Sequence, residues 1–497
     1  MPSVAPPDGH GFVGPRQKEA PDAVAGQGES RTEHDLLGVL EVPAQAYYGV
    51  HTVRAVENFP VTGLTIGRYP TLVRGLVAVK QAAAMANRDL GGLEPEVAEA
   101  IIAACSEIRD GRLHDQFVVD VIQGGAGTST NMNVNEVVAN RALELLGHPK
   151  GRYDVVHPIE HVNRSQSTND AYPTAVRVAL HESLEGLLSA VQVLEDAFLA
   201  KSGEFVDVLK IGRTQLQEAV PMTLGLEFGT FATMVRQAQR NLRACSAQLC
   251  EVNLGGTAIG TGLTAPQGYS ERAVGALAQV TGIDIRQSAD TIEATQGTGA
   301  FVILSGALKA LAVKLSKISN DLRLLSSGPR AGFAEITLPA VQAGSSIMPG
   351  KINPVIPEMV NQVAFAVIGR DVTVSMASEA GQLQLNAFEP VMVVSLLDSI
   401  DQLGTACRVL AQRCVAGIGA NSVRLRHSVE HSIGLVTALL PYIGYERATL
   451  AAAEALALDT SVLGLLEEHG LVPEGWEQTM LGPTPRPVVE PATGTIS

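Results

Sequence analysis

The sequence predicts a mostly α-helical protein whose long helical middle lies between two smaller ends. Three observations carry this. Aromatic residues make up only 4% of the chain while Ala, Leu and Val abound, a composition that helix packing uses readily and β-sandwiches do not. Leu308, Leu311, Leu315, Ile318, Leu322 and Leu325 alternate spacings of three and four, the seam of a bundle helix. Leu184, Leu187, Val191, Leu194 and Phe198 repeat that period.

From the N-terminus, residues 1–30 are rich in Pro, Gly, Ala and charge and lack the apolar centre of a secretion signal; they read as a disordered leader. Residues 31–168 form the first structured region, 169–423 the helical middle and 424–497 a small C-terminal region. Ser326, Ser327, Gly328 and Pro329 end the first seam. A third long helix is expected near Pro357, a residue suited to a first turn, running through Val360, Val363 and Val367. Helices of roughly 30 Å or more need long partners, in the same chain or in other copies.

At 497 residues, with 46% hydrophobic and 18% charged, the chain can bury a large core. Its net charge of −15, without a long Lys/Arg run, argues against nucleic acid as a partner. Any attraction for an anionic substrate must therefore be local. The five cysteines form no CxxC pair and read as reduced thiols of a cytoplasmic protein. No uninterrupted apolar run reaches the length of about eighteen residues that marks a membrane span, so a soluble protein without a membrane partner is expected.

Four polar, Gly-rich segments lie between the helical patterns: Gly124–Asn133 (GGAGTSTNMN), Ser165–Asp170 (SQSTND), Gly212–Gln217 (GRTQLQ) and Gly344–Pro354 (GSSIMPGKINP). Taken singly, such residues often only cap helices and shape turns. Together, many neutral donors with one nearby Lys suit a small dicarboxylate. Two nucleotide readings fail. Ile352 follows Lys351 where a phosphate loop needs Ser or Thr, and the first segment lacks the third Gly of a dinucleotide fingerprint. His157 and His161 read as structural or peripheral. No metal is expected.

The segment GSSIMPGKINPVIPE resembles the signature of the aspartase/fumarase superfamily. RTEHDLLGVLEVPAQAYYGVHTVRAVENF, QGGAGTSTNMNVNEVVANRALELLG, SQSTNDAYPTA, GRTQLQEAVPMTLG, SKISNDLRLLSSGPRAG and GQLQLNAFEPV resemble further family segments, in the family's order. The likeness runs from about Arg31 to about Pro487. It implies a three-domain fold with a central bundle of long helices, and a homotetramer in which three subunits build each active site. It also implies reversible deamination of L-aspartate to fumarate and ammonia, without an organic cofactor.

That chemistry removes a weakly acidic C3 proton and places a second charge on the β-carboxylate, so the enediolate needs preorganised donors. By resemblance, Thr128, Ser167, Thr168 and Ser346 supply them. Lys351, Asn353 and Thr214 would hold the α-carboxylate, and Asn169 with Gln215 would position the amino group. The family's base maps to Ser345, whose alkoxide needs donors around the Gly344 loop. Fumarases usually carry His at the position of Gln215 and Gln at that of Ser129, which weighs against a hydratase. Fumarate hydration and a non-catalytic structural role remain the alternatives.

Overall fold

The computed structural model describes residues 29–472 and 474. Most of the expected leader, 1–28, lies outside the described residues, and Ser30 already opens the first strand. Strands β1 (Ser30–Asp35) and β2 (Gly38–Pro43) form an antiparallel hairpin, with Ser30 opposite Pro43 and Asp35 opposite Gly38. Four helices follow: α1 (Val50–Asn58), α2 (Pro70–Asp89), α3 (Pro95–Arg109) and α4 (Thr128–Leu145). Pro70 and Pro95 start α2 and α3, where a missing N–H costs nothing and the fixed φ suits the first turn.

The middle of the chain comprises α5 (Thr168–Glu204), strands β3 (Leu209–Thr214) and β4 (Gln217–Thr223), α6 (Leu224–Ser246), α7 (Tyr269–Thr281), α8 (Thr291–Gln296), α9 (Gly299–Leu325), α10 (Val355–Glu379) and α11 (Glu389–Arg413). Five long helices close a ring: α5 packs on α6, α6 on α9, α9 on α10, α10 on α11 and α11 back on α5. Both predicted seams face inward, since Leu308 to Leu325 on α9 and Leu184 to Phe198 on α5 are all buried. The third helix starts at Val355, two residues before Pro357, and buries Val360 and Val367 while Val363 is half-buried. Short helices α12 (Ser422–His431), α13 (Gly434–Ile443), α14 (Tyr445–Leu458) and α15 (Val462–Glu468) gather around a small core of their own, which Ile211 of β3 enters.

Two findings refine these expectations. The leucine seams, open to partners in the same chain or in other copies, are satisfied within one chain; an exposed apolar stripe of Phe365 (63% exposed), Val372 (56%) and Met376 (68%) stands instead on α10. Secondly, α9 is long enough and, at a mean hydropathy of 1.5, apolar enough to cross a membrane by those two criteria. Run length missed it because scattered charges interrupt the run. Its buried seam packs between α6 and α10, and Lys314 donates to the Met234 carbonyl on α6 at 3.1 Å. It has the contacts of a bundle-core helix.

Candidate active site at the two ends of the bundle

One cluster of predicted residues stands where α4 and α5 begin. Gly127, with φ +88°, precedes α4, and a Cβ there would lie 2.6 Å from the Tyr172 ring. Only glycine allows this left-handed turn to press against α5. Thr128 follows and donates to the Gly125 carbonyl at 2.8 Å. Ser167 caps α5: its hydroxyl accepts from the Asn169 amide at 3.2 Å, while its own amide donates to Asp170 Oδ1 at 2.8 Å. This reciprocal capping box satisfies the orphan amides of the first turn. Thr168 is half-buried in that turn, and Asn169 Nδ2 donates to the Ala258 carbonyl at 2.7 Å. Two helix N-termini thus converge with hydroxyl side chains, a setting that favours an anion.

Two buried ions organise this end, and the sequence reading assigned a role to neither. Lys80 of α2 is buried, and its ammonium donates to Asn131 Oδ1 at 2.7 Å, Asn163 Oδ1 at 2.9 Å and Gln166 Oε1 at 2.9 Å. It thereby ties the first polar segment to the second. Burial pushes its pKa down to about 7, with the nearby Asp170 charge opposing. Asp170 is also buried; its Oδ2 accepts from the Gly255 amide at 2.9 Å and the Thr257 amide at 3.0 Å. Burial raises its pKa to about 6 against these hydrogen bonds. Signals for both were present. Lys80 is a lone cation in LVAVKQAAAMA with no acid three or four residues away, and Ser167 with Asp170 has capping-box spacing.

The second cluster stands at the opposite end. Thr214 pairs with Gln217 across the β3–β4 hairpin, and the two turn residues, Gln215 and Leu216, have φ of +54° and +64°. A turn with both central residues left-handed matches hairpin twist, yet outside glycine each such residue costs about 1 kcal/mol or more. The turn places Thr214 and Gln215 at an exposed tip. The hairpin base is fixed by buried Lys210, which pairs with Glu227 at 2.6 Å and Glu335 at 2.8 Å; Arg213 also pairs with Glu335.

The Gly344–Pro354 loop closes on itself. The Gly344 amide donates to the Lys351 carbonyl at 2.9 Å, and Asn353 Nδ2 donates to the Gly344 carbonyl at 2.8 Å. A Cβ on Gly344 would overlap the Lys351 carbonyl. Ser345 Oγ accepts from the amides of Ile347 at 3.2 Å and Met348 at 3.0 Å. Two N–H groups aimed at one hydroxyl oxygen favour its deprotonated form. Ser346 and Lys351 are exposed.

One chain does not bring all ten residues together. Thr128, Ser167, Thr168 and Asn169 lie where α5 begins. Thr214 and Gln215 follow its far end, after 37 residues, or roughly 55 Å of helix at 1.5 Å per residue. Ser345, Ser346, Lys351 and Asn353 share the hairpin's end: Asn361, early in α10, bonds Ser316 and Asn320 late in α9, and Glu335 beyond α9 joins the hairpin base. His157 and His161 are engaged by local backbone amides. His157 Nδ1 accepts from the amides of Ile159 and Glu160, and His161 Nδ1 accepts from the His157 amide at 3.0 Å.

A lyase family model matches residues 38–369, and a model described as the fumarase C C-terminus matches 435–481. An aspartate ammonia-lyase from Pseudomonas fluorescens is 58% identical over 454 residues, which cover 91% of this chain and 95% of that one. The aspartate ammonia-lyase of Escherichia coli K12 is 55% identical over 445 residues, covering 89% and 93%. Among solved structures, a cobalt-bound fumarate lyase/delta crystallin from Brucella melitensis superposes with a TM-score of 0.89 at 54% identity, covering 91% of this chain and 98% of that one. A class II fumarase from Schistosoma mansoni gives 0.85 at 34% identity, with the same coverage. The three-domain fold with its helical bundle is the fold of these lyases.

Proposed function

Because the chain belongs to the lyase family of the aspartate ammonia-lyases and fumarases, we propose that it deaminates L-aspartate reversibly to fumarate and ammonia. The observation that carries this is the 58% identity to an aspartate ammonia-lyase over nine-tenths of the chain, against 34% to a fumarase. Gln215, where a hydratase's His would stand, supports the same choice.

In the proposed mechanism Ser345 abstracts the C3 proton, its alkoxide supported by the amides of Ile347 and Met348. Thr128, Ser167, Thr168 and Ser346 receive the β-carboxylate as its charge grows, where donors acting in the transition state contribute most. Lys351 and Thr214 hold the α-carboxylate. Asn353 and Asn169 each spend an amide N–H on a backbone carbonyl; each keeps a second N–H and its carbonyl oxygen for substrate.

The separation of the two clusters motivates a homotetramer in which different subunits contribute the two ends to one site, three subunits completing it. The exposed Phe365, Val372 and Met376 stripe of α10 supplies an apolar face for that assembly. We place the enzyme in the cytoplasm, a reading supported by five free cysteines. An ultraviolet assay of fumarate formation tests the substrate. Release from L-aspartate is expected to exceed release from L-malate by orders of magnitude; equal rates would sink the assignment.

A further inference from the structure

We propose that His427 and His431 form a two-imidazole site for a borderline-soft transition-metal dication such as Zn²⁺ or Ni²⁺, with water completing the coordination. The two residues are four apart on α12, so they share one face, and both are exposed. Their ring centroids lie 4.0 Å apart. Two nitrogens on one zinc ion can be separated by at most about 4 Å, twice the Zn–N distance, and rotation about the side-chain bonds of two exposed rings already in contact brings one nitrogen of each within that span.

The hydrogen bonds set the decisive detail. His431 Nδ1 lies 2.9 Å from the His427 carbonyl oxygen. A carbonyl can only accept, so Nδ1 carries the proton, and in the neutral ring Nε2 presents its lone pair. Metal-bound histidines are usually oriented in this way, the second nitrogen donating to a carbonyl or carboxylate. The pair His157 and His161 has the same spacing and the opposite chemistry. Both Nδ1 atoms there accept from backbone amides, which places the proton on Nε2 and leaves neither nitrogen free. Spacing alone does not separate the two pairs; the tautomer does.

The charged groups on α12 are Arg424, Arg426 and Glu430, and the Glu430 carboxylate accepts from Arg426 Nε at 2.8 Å. The site therefore consists of two imidazoles, ligands that suit Zn²⁺, Ni²⁺ and Cu²⁺ better than Mg²⁺ or Ca²⁺. It also abuts the hairpin: α12 packs on β3, and Ser432, the residue after His431, donates to Glu218 of β4 at 2.6 Å.

Calorimetric titration of the full-length chain, without a polyhistidine tag, tests this with NiCl₂ and ZnCl₂. One saturable ion per chain is expected. His427→Ala and His431→Ala should each weaken it by about tenfold or more, as loss of ligand support generally does, and His427→Gln should do the same while retaining a polar side chain. The exposed positions let the variants keep the parent's thermal midpoint. Absence of binding to the parent, or parental affinity in the double variant, overturns the proposal.

Discussion

The two ends of the bundle carry the same kind of chemistry on opposite kinds of support. Where α4 and α5 begin, Lys80 and Asp170 are buried ions whose hydrogen bonds reach three segments, so the donors around Ser167 are held from beneath. At the far end, the Ser345 loop is tied by contacts within the loop itself, the strained Gln215 turn is held through the Lys210 ion pairs at its hairpin base, and most of both is exposed. The buried end is built to stay fixed while charge develops. On the proposed reading, the exposed end approaches a substrate that another subunit holds, and a closing loop there would exclude water.

The largest effect is expected at the exposed end, where chemistry and binding separate. Ser345→Ala should lower kcat by about three decades, in the range that loss of a general base produces, with little change in KM. Lys351→Ala should instead raise KM by roughly tenfold to a hundredfold, the worth of one charge-assisted hydrogen bond. Steady-state kinetics on the two variants decides; parental kcat in Ser345→Ala would remove serine as the base.

A smaller effect, visible in stability, is expected at the buried end. The folded-state pKa of Lys80, about 7, lies below its ordinary 10.5, so the unfolded chain holds the proton more tightly. Stability from this group is fully present above pH 10.5, is lost as pH falls and is gone below about 7. Asp170 and Glu389 have raised values of about 6 and about 8, so their contributions act in the opposite direction and are already lost by about pH 8. Between about pH 8 and 10 the thermal midpoint of Lys80→Met should therefore rise less with pH than the parent's. Parallel profiles would mean that Lys80 is charged throughout.

The smallest effect concerns neither end. Deleting residues 1–28 should leave activity and thermal midpoint nearly unchanged, because a Pro- and Gly-rich composition offers little apolar side-chain surface for a core. A large loss of either would show that the segment docks.

The long helices were legible because seams such as Leu308 to Leu325 repeat with the helical period, and the four polar segments stood out against that pattern. Four things were not. Lys80 showed only as a lone cation in an apolar run, and the role that buries it could not be read because its amide partners lie 51 to 86 residues away. The left-handed Gln215 and Leu216 carry no Gly or Asn to announce a primed turn. The placement of Ser167 and Ser345 at opposite ends follows from helix length and topology, which no local motif records. His427 and His431 were passed over because spacing does not reveal a tautomer.

Mixing two inactive variants tests most directly whether different subunits supply the two ends. Ser345→Ala lacks the exposed end, and Ser167→Ala/Thr168→Val lacks the buried one. After denaturation and joint refolding, sites that draw each end from a different chain should recover about a quarter of parental activity, the statistical share of intact pairs in a randomly mixed oligomer. If one chain supplied both ends, no site could be intact and the mixture would stay inactive.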